Sequence, residues 1–274
     1  MKTWLITGAS SGLGLVMTTK LLARGDRVVA CGRRVTPFEA LQRTARDRLR
    51  VARFDLAETA ALRQEVDAAF AAFGRIDTVV SNAGYGLFGA AEEVTDAQIE
   101  RQIATNLTGS IQLVRAVLPH LRAQGGGRIL QVSSEGGQVA YPNFSLYHAT
   151  KWGIEGFLDA VAQEVAPFGI DIVIAEPGAT ATGFARGLDH AVPMEVYDAT
   201  PAGDVRRAVS SGMLEIKGDA DRTVDAMIRV ADSAHPRRRI ALGSTALENI
   251  HRALTARLDD LVAQKSLTLT ADRV

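Results

Sequence analysis

Short apolar runs alternate along this chain with longer segments of helical periodicity. The runs are Trp4–Thr7, Arg27–Cys31, Leu49–Arg53, Thr78–Ser81, Gly127–Val132, Asp171–Ala175 and Arg238–Leu242. Continuous apolar runs of this length are typical of strands buried on both faces of a sheet. The helical segments are Leu13–Arg24, Thr59–Phe73, Asp96–Arg122, Lys151–Ala166, Thr223–Ser233 and Thr245–Lys265. The alternation predicts right-handed βαβ units, and therefore a doubly wound parallel α/β sheet of about seven strands with helices on both faces.

The 274 residues contain no internal repeat and no Pro-, Gly- or Ser-rich linker, so we expect one domain of the Rossmann type. Residues 180–217 depart from the alternation, because they hold several prolines and glycines and few clear strands. A mobile flap over a ligand site is our interpretation, and a poorly ordered loop is the alternative. Residues 245–274 are expected to form a C-terminal helix and a tail of no recognisable function.

Composition excludes several classes of partner. Lys plus Arg and Asp plus Glu both number 31, so the balance of charge favours neither nucleic acid nor an anionic membrane as a partner. The chain has no run near the roughly 18 apolar residues of a membrane span and no signal peptide, so we expect a cytoplasmic protein. The single cysteine, Cys31, excludes an internal disulfide and is expected to be a buried thiol. No metal is expected, because no His, Cys and carboxylate residues have the spacing of metal ligands.

A glycine-rich turn follows the first predicted strand and precedes a helix. Its candidate nucleotide contacts are Gly8, Ser10, Ser11, Gly12, Leu13 and Gly14. Glycine lets a backbone approach a pyrophosphate closely, and a helix N-terminus supplies unpaired N–H groups and a positive dipole. The spacing is G-x3-G-x-G, and a purely structural turn is the alternative. The position between the first strand and a helix favours the nucleotide interpretation.

The end of the second predicted strand bears on the choice of nucleotide. NAD sites of this fold often carry an acid here that binds the ribose 2′-hydroxyl. This chain instead has Gly32, Arg33 and Arg34. A guanidinium suits a 2′-phosphate, so we expect NADP(H) rather than NAD(H), with Arg33 preferred over Arg34. A pair of solvated arginines is the alternative.

A tyrosine and a lysine are separated by three residues after the fifth predicted strand. That strand is followed by Ser133 and Ser134, and then by Tyr147 and Lys151 in the segment YHATK. If Tyr147 lies in the first turn of a helix, Lys151 lies one turn further along the same face.

Together these motifs resemble the short-chain dehydrogenase/reductase (SDR) family. The matching residues are TGASSGLG at 7–14, Asp55-Leu56, Asn82-Ala83-Gly84, Asn106, Ser134, YHATK at 147–151, and Pro177-Gly178 with Thr182. They follow the order of the family over residues 3–185, and the 13 residues between Ser134 and Tyr147 also match. The chain also looks like the branch that includes 17β-hydroxysteroid and retinol dehydrogenases.

The resemblance implies hydride transfer between a nicotinamide cofactor and a carbonyl/alcohol pair. Tyr147 would be the general acid in reduction and the base in oxidation, with its pKa lowered by Lys151 and the oxidised cofactor. Lys151 would also bind the nicotinamide ribose. Ser134, favoured over Ser133 by spacing, would bind the substrate oxygen. Asn106 would support a water that links Lys151 to solvent, and a structural role in mid-helix is the alternative. His148 is expected on the helix surface.

The resemblance also extends the list of cofactor contacts. The added residues are Asp55, Leu56, Asn82, Ala83, Gly84, Pro177, Gly178, Thr180 and Thr182, besides Tyr147 and Lys151. Asp55 would accept from the adenine amino group, a turn acid being the alternative. Asn82 is expected to stabilise the sheet. Thr182 would meet the carboxamide or a phosphate, or cap the flap. Residues 1–135 would then be mainly the cofactor half, and residues 136–244 the catalytic and substrate half.

The substrate is expected to be a hydrophobic small molecule, because candidate wall residues are mostly apolar. They include Tyr85, Leu87, Glu135 to Val139 with Gln138, Phe144, Phe184, Met194 and Tyr197. The resemblance implies a homodimer or homotetramer in which helices around 96–122 and 151–166 pair. A non-catalytic NADP(H)-binding protein is the main alternative, since the fold alone does not establish catalysis. An epimerase or dehydratase is a third possibility, although such relatives have G-x2-G-x2-G and a larger C-terminal domain.

Overall fold

The computed structural model describes residues 1–212 and 216–272, and its strands form one large sheet and one small one. In chain order the strands are β1 (Thr3–Thr7), β2 (Arg27–Gly32), β3 (Leu49–Arg53), β4 (Thr78–Ser81), β5 (Leu87–Phe88), β6 (Gly127–Val132), β7 (Ile170–Pro177), β8 (Asp189–His190) and β9 (Arg239–Leu242). The large sheet has seven strands in the order β3-β2-β1-β4-β6-β7-β9, and all its pairs are parallel. The expected doubly wound parallel sheet is therefore confirmed.

Helices cover both faces of this sheet. They are α1 (Gly12–Ala23), α2 (Glu39–Ala45), α3 (Thr59–Phe73), α4 (Asp96–Ile103), α5 (Gly109–Ala123), α6 (Ser145–Val165), α7 (Pro201–Ser210), α8 (Ala220–Asp232), α9 (Ser244–Ala263) and α10 (Lys265–Thr268). One core cluster joins apolar residues of α3, α5 and α6 to one face of the sheet. A second cluster joins residues of α1, α2 and α8 to the other face. Among the residues described, no helix combines the length and apolar character needed to cross a membrane.

The order of the strands reverses at the centre of the sheet. The chain passes from β1 outward to β3, returns to β4 on the other side of β1, and continues outward to β9. At such a reversal the loops that follow β1 and β4 diverge to opposite faces, and this leaves a crevice at the carboxyl ends of the strands. The glycine turn after β1 and the residues after β4 therefore lie at the crevice.

Two predicted helices differ from the structure near the expected site. The helix expected at Lys151–Ala166 begins at Ser145, six residues earlier, so Tyr147 lies in its first turn. The helix expected over Asp96–Arg122 is interrupted by a π-helical turn at Ala104–Thr108. Hydrophobic periodicity does not show either feature, because tertiary contacts rather than an apolar stripe hold these turns.

The segment expected to be an irregular flap contains regular structure in its described part, residues 180–212 and 216–217. Strand β8 pairs in parallel with β5, and α7 begins at Pro201 behind the N-cap residue Thr200. Glu93 anchors the segment, since its carboxylate accepts from the Met194 backbone N–H at 2.8 Å and contacts the Arg206 guanidinium. Residues 213–215 of the expected flap lie outside the described residues.

Candidate active site

The glycine turn after β1 lies in direct backbone contact with the turn after β4. Gly8 has φ +65°, and a Cβ added there would lie 2.8 Å from Ala83 Cα. A Cβ on Gly14 would lie 2.4 Å from the Gly8 carbonyl oxygen. The Asn82 side-chain amide donates to the carbonyls of Thr7, at 2.9 Å, and of Gly8, at 3.3 Å. Asn82 therefore fixes the two turns together.

The start of α1 fits a pyrophosphate. The helix begins at Gly12, its N-cap residue Ser11 makes no side-chain capping bond, and its first turn contains no acidic residue. The first N–H groups of the helix therefore lack side-chain acceptors and keep the positive end of the dipole. Thr182 closes the opposite side, since its Cβ lies 3.9 Å from where a Gly12 Cβ would stand. An uncapped helix start without acidic residues suits an anionic group such as a pyrophosphate.

The arginines expected to select the nucleotide stand at the end of β2. A Cβ on Gly32 would lie 3.4 Å from the Ser10 side chain, so this glycine brings the strand end against the glycine turn. Arg33 Nη1 lies 3.6 Å from Asp55 Oδ2, and 78% of the Arg33 side chain is exposed. An exposed ion pair at this distance contributes little, so the guanidinium is free to turn to a phosphate. Arg34 is also exposed.

Asn106 lies in the π-helical turn and faces the turn after β4. Its Oδ1 accepts from the Tyr85 backbone N–H at 3.1 Å, and its Nδ2 donates to the Tyr85 carbonyl at 2.7 Å. A Cβ on Gly84 would lie 3.2 Å from Asn106 Oδ1. The π-helical turn therefore directs the Asn106 side chain inward, where it contacts the main chain of residues 84–85. Leu56 packs against Gly109 at the end of the same turn, and its side chain is buried.

Ser134, Tyr147 and Lys151 converge at the junction of β6 and α6. Tyr147 lies in the first turn of α6 and Lys151 one turn later, as the spacing predicts. Lys151 Nζ lies 5.5 Å from the centroid of the Tyr147 ring and donates to the Val132 carbonyl at 3.0 Å. Ser134 lies two residues beyond the end of β6, and its hydroxyl accepts from the Gly136 backbone N–H at 3.1 Å. It also acts on the Tyr147 hydroxyl, whose pKa it lowers.

Burial shifts both titratable groups of this trio. It raises the pKa of Tyr147 to about 12, an effect that Glu135 reinforces and the Ser134 side chain opposes. Burial also lowers the pKa of Lys151 to about 8, while the negative charge of Glu155 acts in the opposite direction. At neutral pH, Tyr147 is therefore a neutral phenol beside a mostly protonated Lys151. Strong pKa shifts at a crevice are typical of catalytic groups.

The prediction that His148 lies on the helix surface is wrong. His148 is buried; its Nε2 accepts from the Tyr141 backbone N–H and its Nδ1 donates to the Gly136 carbonyl, both at 2.9 Å. Burial lowers its pKa. Because the Tyr141 donor requires an unprotonated Nε2, the neutral ring holds the 134–141 loop against α6. Helix periodicity could not predict this contact, since the loop comes from another element.

The segment after β7 lies over Tyr147. The Phe184 ring centroid lies 5.7 Å from that of Tyr147, and a Cβ on Gly86 would meet the Phe184 ring at 2.9 Å. Thr182 Oγ1 accepts from the Phe184 backbone N–H at 3.2 Å. Pro177 ends β7, and the Gly178 N–H bonds the Leu242 carbonyl at 3.1 Å.

The remaining candidate cofactor and substrate residues bond or pack within the protein. The Thr180 hydroxyl donates to the Gly178 carbonyl at 2.8 Å. The Gln138 amide donates to Glu176 Oε1 at 2.7 Å, so it is already engaged beside β7. Burial raises the pKa of the Tyr85 hydroxyl against the opposing effect of Arg101 on α4. Leu87 is buried in a small cluster with Val94 and Ala191.

Sequence reasoning missed a group of buried charges behind the trio. Glu155 and Glu176 are each 2% exposed, and Arg239 contacts both carboxylates. The spacing of Glu155, four residues after Lys151, was the one indication that it shares a helix face with the lysine.

A doubly wound sheet with a glycine cradle and a Ser–Tyr–Lys trio at its crevice defines a dinucleotide-binding oxidoreductase. Residues 2–192 match the short chain dehydrogenase family. Oxidoreductase BOA17 of Botryotinia fuckeliana is 35% identical over 255 residues, 92% of this chain and 92% of that protein. The 3-ketodihydrosphingosine reductase of Bacteroides thetaiotaomicron is 36% identical over 180 residues, 66% of this chain and 64% of that protein.

A solved structure is similar over nearly the whole chain. A short-chain dehydrogenase from Streptomyces avermitilis has a TM-score of 0.91 and 31% identity, and the match covers 99% of this chain and 100% of that one. The chain belongs to the short-chain dehydrogenase/reductase family. It is therefore an oxidoreductase of the class that interconverts alcohols and carbonyls with a nicotinamide dinucleotide.

We predict that Gly14→Ala weakens binding of NADPH and NADH alike by about tenfold or more, because the new Cβ must displace the glycine turn. Titration of cofactor fluorescence measures both dissociation constants. Gly156→Ala in α6 is the matched control, since a Cβ there meets no atom within 4 Å. Cofactor affinity that is unchanged in Gly14→Ala would contradict the proposed cradle.

Proposed function

We propose that this enzyme is an NADP(H)-dependent oxidoreductase that acts on the carbonyl or secondary alcohol of a hydrophobic small molecule. The observation that carries the proposal is the trio at the β6–α6 junction, in which Ser134 acts on the Tyr147 hydroxyl and Lys151 Nζ lies 5.5 Å from the centroid of the Tyr147 ring. A non-catalytic binder would not need this set. A bound nicotinamide would supply or accept the hydride at the substrate carbon.

Tyr147 is the proton donor in this proposal. Its raised pKa keeps the phenol protonated at rest, so it is ready to donate to a carbonyl oxygen during reduction. Ser134 binds the same oxygen and stabilises the charge that develops on it. The Lys151 ammonium favours the phenolate that remains after donation, because opposite charges attract strongly in a buried site.

The contacts of Asn106 favour the structural role that is the alternative for this residue. Its side-chain amide is occupied by both backbone groups of Tyr85. We propose that it fixes the turn formed by Asn82, Ala83 and Gly84 against the cofactor. Support of a relay water by Asn106 stays a prediction.

The cofactor preference follows from charge at the end of β2. Arg33 and Arg34 are exposed there, and the nearby acid, Asp55, is paired with Arg33. A 2′-phosphate would compete for that guanidinium with a bidentate, charge-assisted interaction that Asp55 at 3.6 Å does not make. Asp55 would remain at the adenine end.

We predict that the enzyme binds NADP⁺ more tightly than NAD⁺ and that Arg33→Ala weakens NADP⁺ binding by about tenfold or more, the effect of losing a charge-assisted hydrogen bond. Calorimetric titration of both cofactors measures the change. NAD⁺ is the internal control and should change by less than about threefold. Tighter binding of NAD⁺ by the unmodified enzyme would refute the assignment.

The substrate class follows from the aromatic surroundings of Tyr147. The Tyr147 ring lies 5.7 Å from Phe184 on the flap and 6.2 Å from Phe144, and Phe144 in turn contacts Phe88 at 5.0 Å. Such walls favour an apolar group next to the reacting carbon. We propose an alicyclic, aromatic or long-chain ketone or alcohol.

We predict that a panel of hydrophobic ketones contains substrates whose reduction consumes NADPH, and that Tyr147→Phe lowers turnover by at least about a thousandfold while NADPH still binds. Loss of NADPH absorbance measures the rate. Tyr197→Phe is the control, because the Tyr197 hydroxyl donates to Glu92 at 2.8 Å and not to a residue of the trio. Retained turnover in Tyr147→Phe would overturn the mechanism.

We propose a homodimer or homotetramer that pairs through α4, α5 and α6. Helix α4 carries Ile103, 36% exposed, and α6 carries Trp152, 42% exposed. Burial of such a surface is typical of subunit interfaces. Light scattering after gel filtration should give two or four times the mass of one chain, and a monomer would contradict the proposal.

A further inference from the structure

One guanidinium bridges three carboxylates behind the catalytic trio. Arg239 Nη1 contacts Glu155 and lies 2.9 Å from Glu176 Oε1, while its Nη2 lies 2.6 Å from Asp159 Oδ2. Glu155 and Asp159 belong to α6, Glu176 to β7 and Arg239 to β9. This cluster joins three elements of the substrate half.

Glu155 also contacts the loop that carries Ser134. Its Oε1 accepts from the Ser133 hydroxyl at 2.5 Å. Gly137 packs directly against the same carboxylate, and a Cβ on Gly137 would collide with it. Ser133 itself is held by its backbone N–H, which donates to the Ala175 carbonyl at 2.8 Å. Glu155 therefore contacts the loop both immediately before and three residues after Ser134.

Lys151 lies one helical turn before Glu155 on α6 and contacts the chain just before the same loop. Its Nζ donates to the Val132 carbonyl at 3.0 Å, one residue before Ser133. Residues four apart lie on the same face of a helix, so Lys151 and Glu155 present opposite charges side by side to this segment.

We propose that Glu155 is a positioning residue for the reaction: it clamps the Ser134 loop onto α6 and stabilises Lys151 as an ammonium. The inference rests on the proposed roles of Ser134, Tyr147 and Lys151. Arg239 acts as the counter-ion that keeps the Glu155 carboxylate charged inside the protein.

The charges around Lys151 determine the sign of the effect. Burial lowers the pKa of Lys151 to about 8, and Glu155 is the nearby charge that opposes this. The pKa of Glu155 is raised, first by burial and also by Glu176, against the lowering effects of Ser133 and Arg239. Other titratable groups at this junction are Tyr147, His148 and Asp159 on α6, and Glu135 in the loop after β6. Removal of the Glu155 charge must therefore lower the pKa of Lys151 further.

The first test measures the titration of Lys151 without any substrate. The full chain carries five lysines, Lys2, Lys20, Lys151, Lys217 and Lys265, so a protein labelled with ¹³C at lysine Cε gives few signals. Absence of one signal in Lys151→Met assigns Lys151. We expect Glu155→Gln to lower the Lys151 midpoint by about one pH unit. Glu164→Gln is the matched control, because Glu164 is an exposed acid on the same helix, and it should leave the midpoint unchanged.

The second test separates the clamp from the charge. Ser133→Ala removes the hydrogen bond but keeps the Glu155 carboxylate, so the Lys151 midpoint should not move. Turnover of a ketone substrate should fall about tenfold with an unchanged dissociation constant for NADPH, since Ser134 loses its fixed position. Glu155→Asp retains the charge with a shorter reach and should keep a Lys151 midpoint near that of the unmodified enzyme.

The outcomes are distinct. An unshifted Lys151 midpoint in folded Glu155→Gln would overturn the electrostatic role, and full turnover in Ser133→Ala would overturn the clamp. If Glu155→Gln does not fold, a Glu155→Asp midpoint as low as about pH 7 would overturn the electrostatic role. Because the midpoint needs no substrate, these results stand apart from a failure of the proposed ketone reduction, which Tyr147→Phe tests.

Discussion

The parallel pairing of β1 with β4 is the constraint on which the site depends. It brings the glycine turn within backbone contact of the turn after β4, although some 70 residues separate them in sequence. Thr7 joins the two turns, because its hydroxyl accepts from the backbone N–H groups of Asn82, at 3.0 Å, and Ala83, at 3.2 Å. Only glycine fits at Gly8 and Gly14 under this pairing. The cradle is therefore a consequence of sheet order as much as of the glycine pattern.

The second half of the site depends on the loop between β6 and α6. Three side chains from α6 hold this segment: Lys151 donates to Val132 at the end of β6, Glu155 accepts from Ser133, and His148 bonds Gly136 and Tyr141. Tyr147 lies among them. Each contact satisfies a backbone or buried polar group that would otherwise cost free energy, so the polar interior of the site also stabilises it. Chemistry and local stability share the same hydrogen bonds here.

Much of the architecture could be predicted from the sequence, and the exceptions have a common cause. Strands β3, β4 and β6 have the predicted bounds, because their apolar runs end at polar or turn residues. The start of α6 and the π-helical turn at Asn106 could not be predicted from periodicity. Both are held by contacts with residues outside the helix itself: His148 with Gly136 and Tyr141, and Asn106 with Tyr85. A local pattern does not contain such partners.

The sequence by itself determined the parallel α/β class, the glycine turn, the Ser134–Tyr147–Lys151 set and membership of the family, since these depend on local periodicity and on spacing along the chain. Only the tertiary structure decided that His148 is buried, that Gln138 is engaged by Glu176, and that Phe184 covers Tyr147. It also placed Arg239 among Glu155, Asp159 and Glu176. The physical reason is that burial and charge pairing depend on neighbours in space, and the folding of β7, β9 and α6 brings those neighbours together from distant parts of the chain.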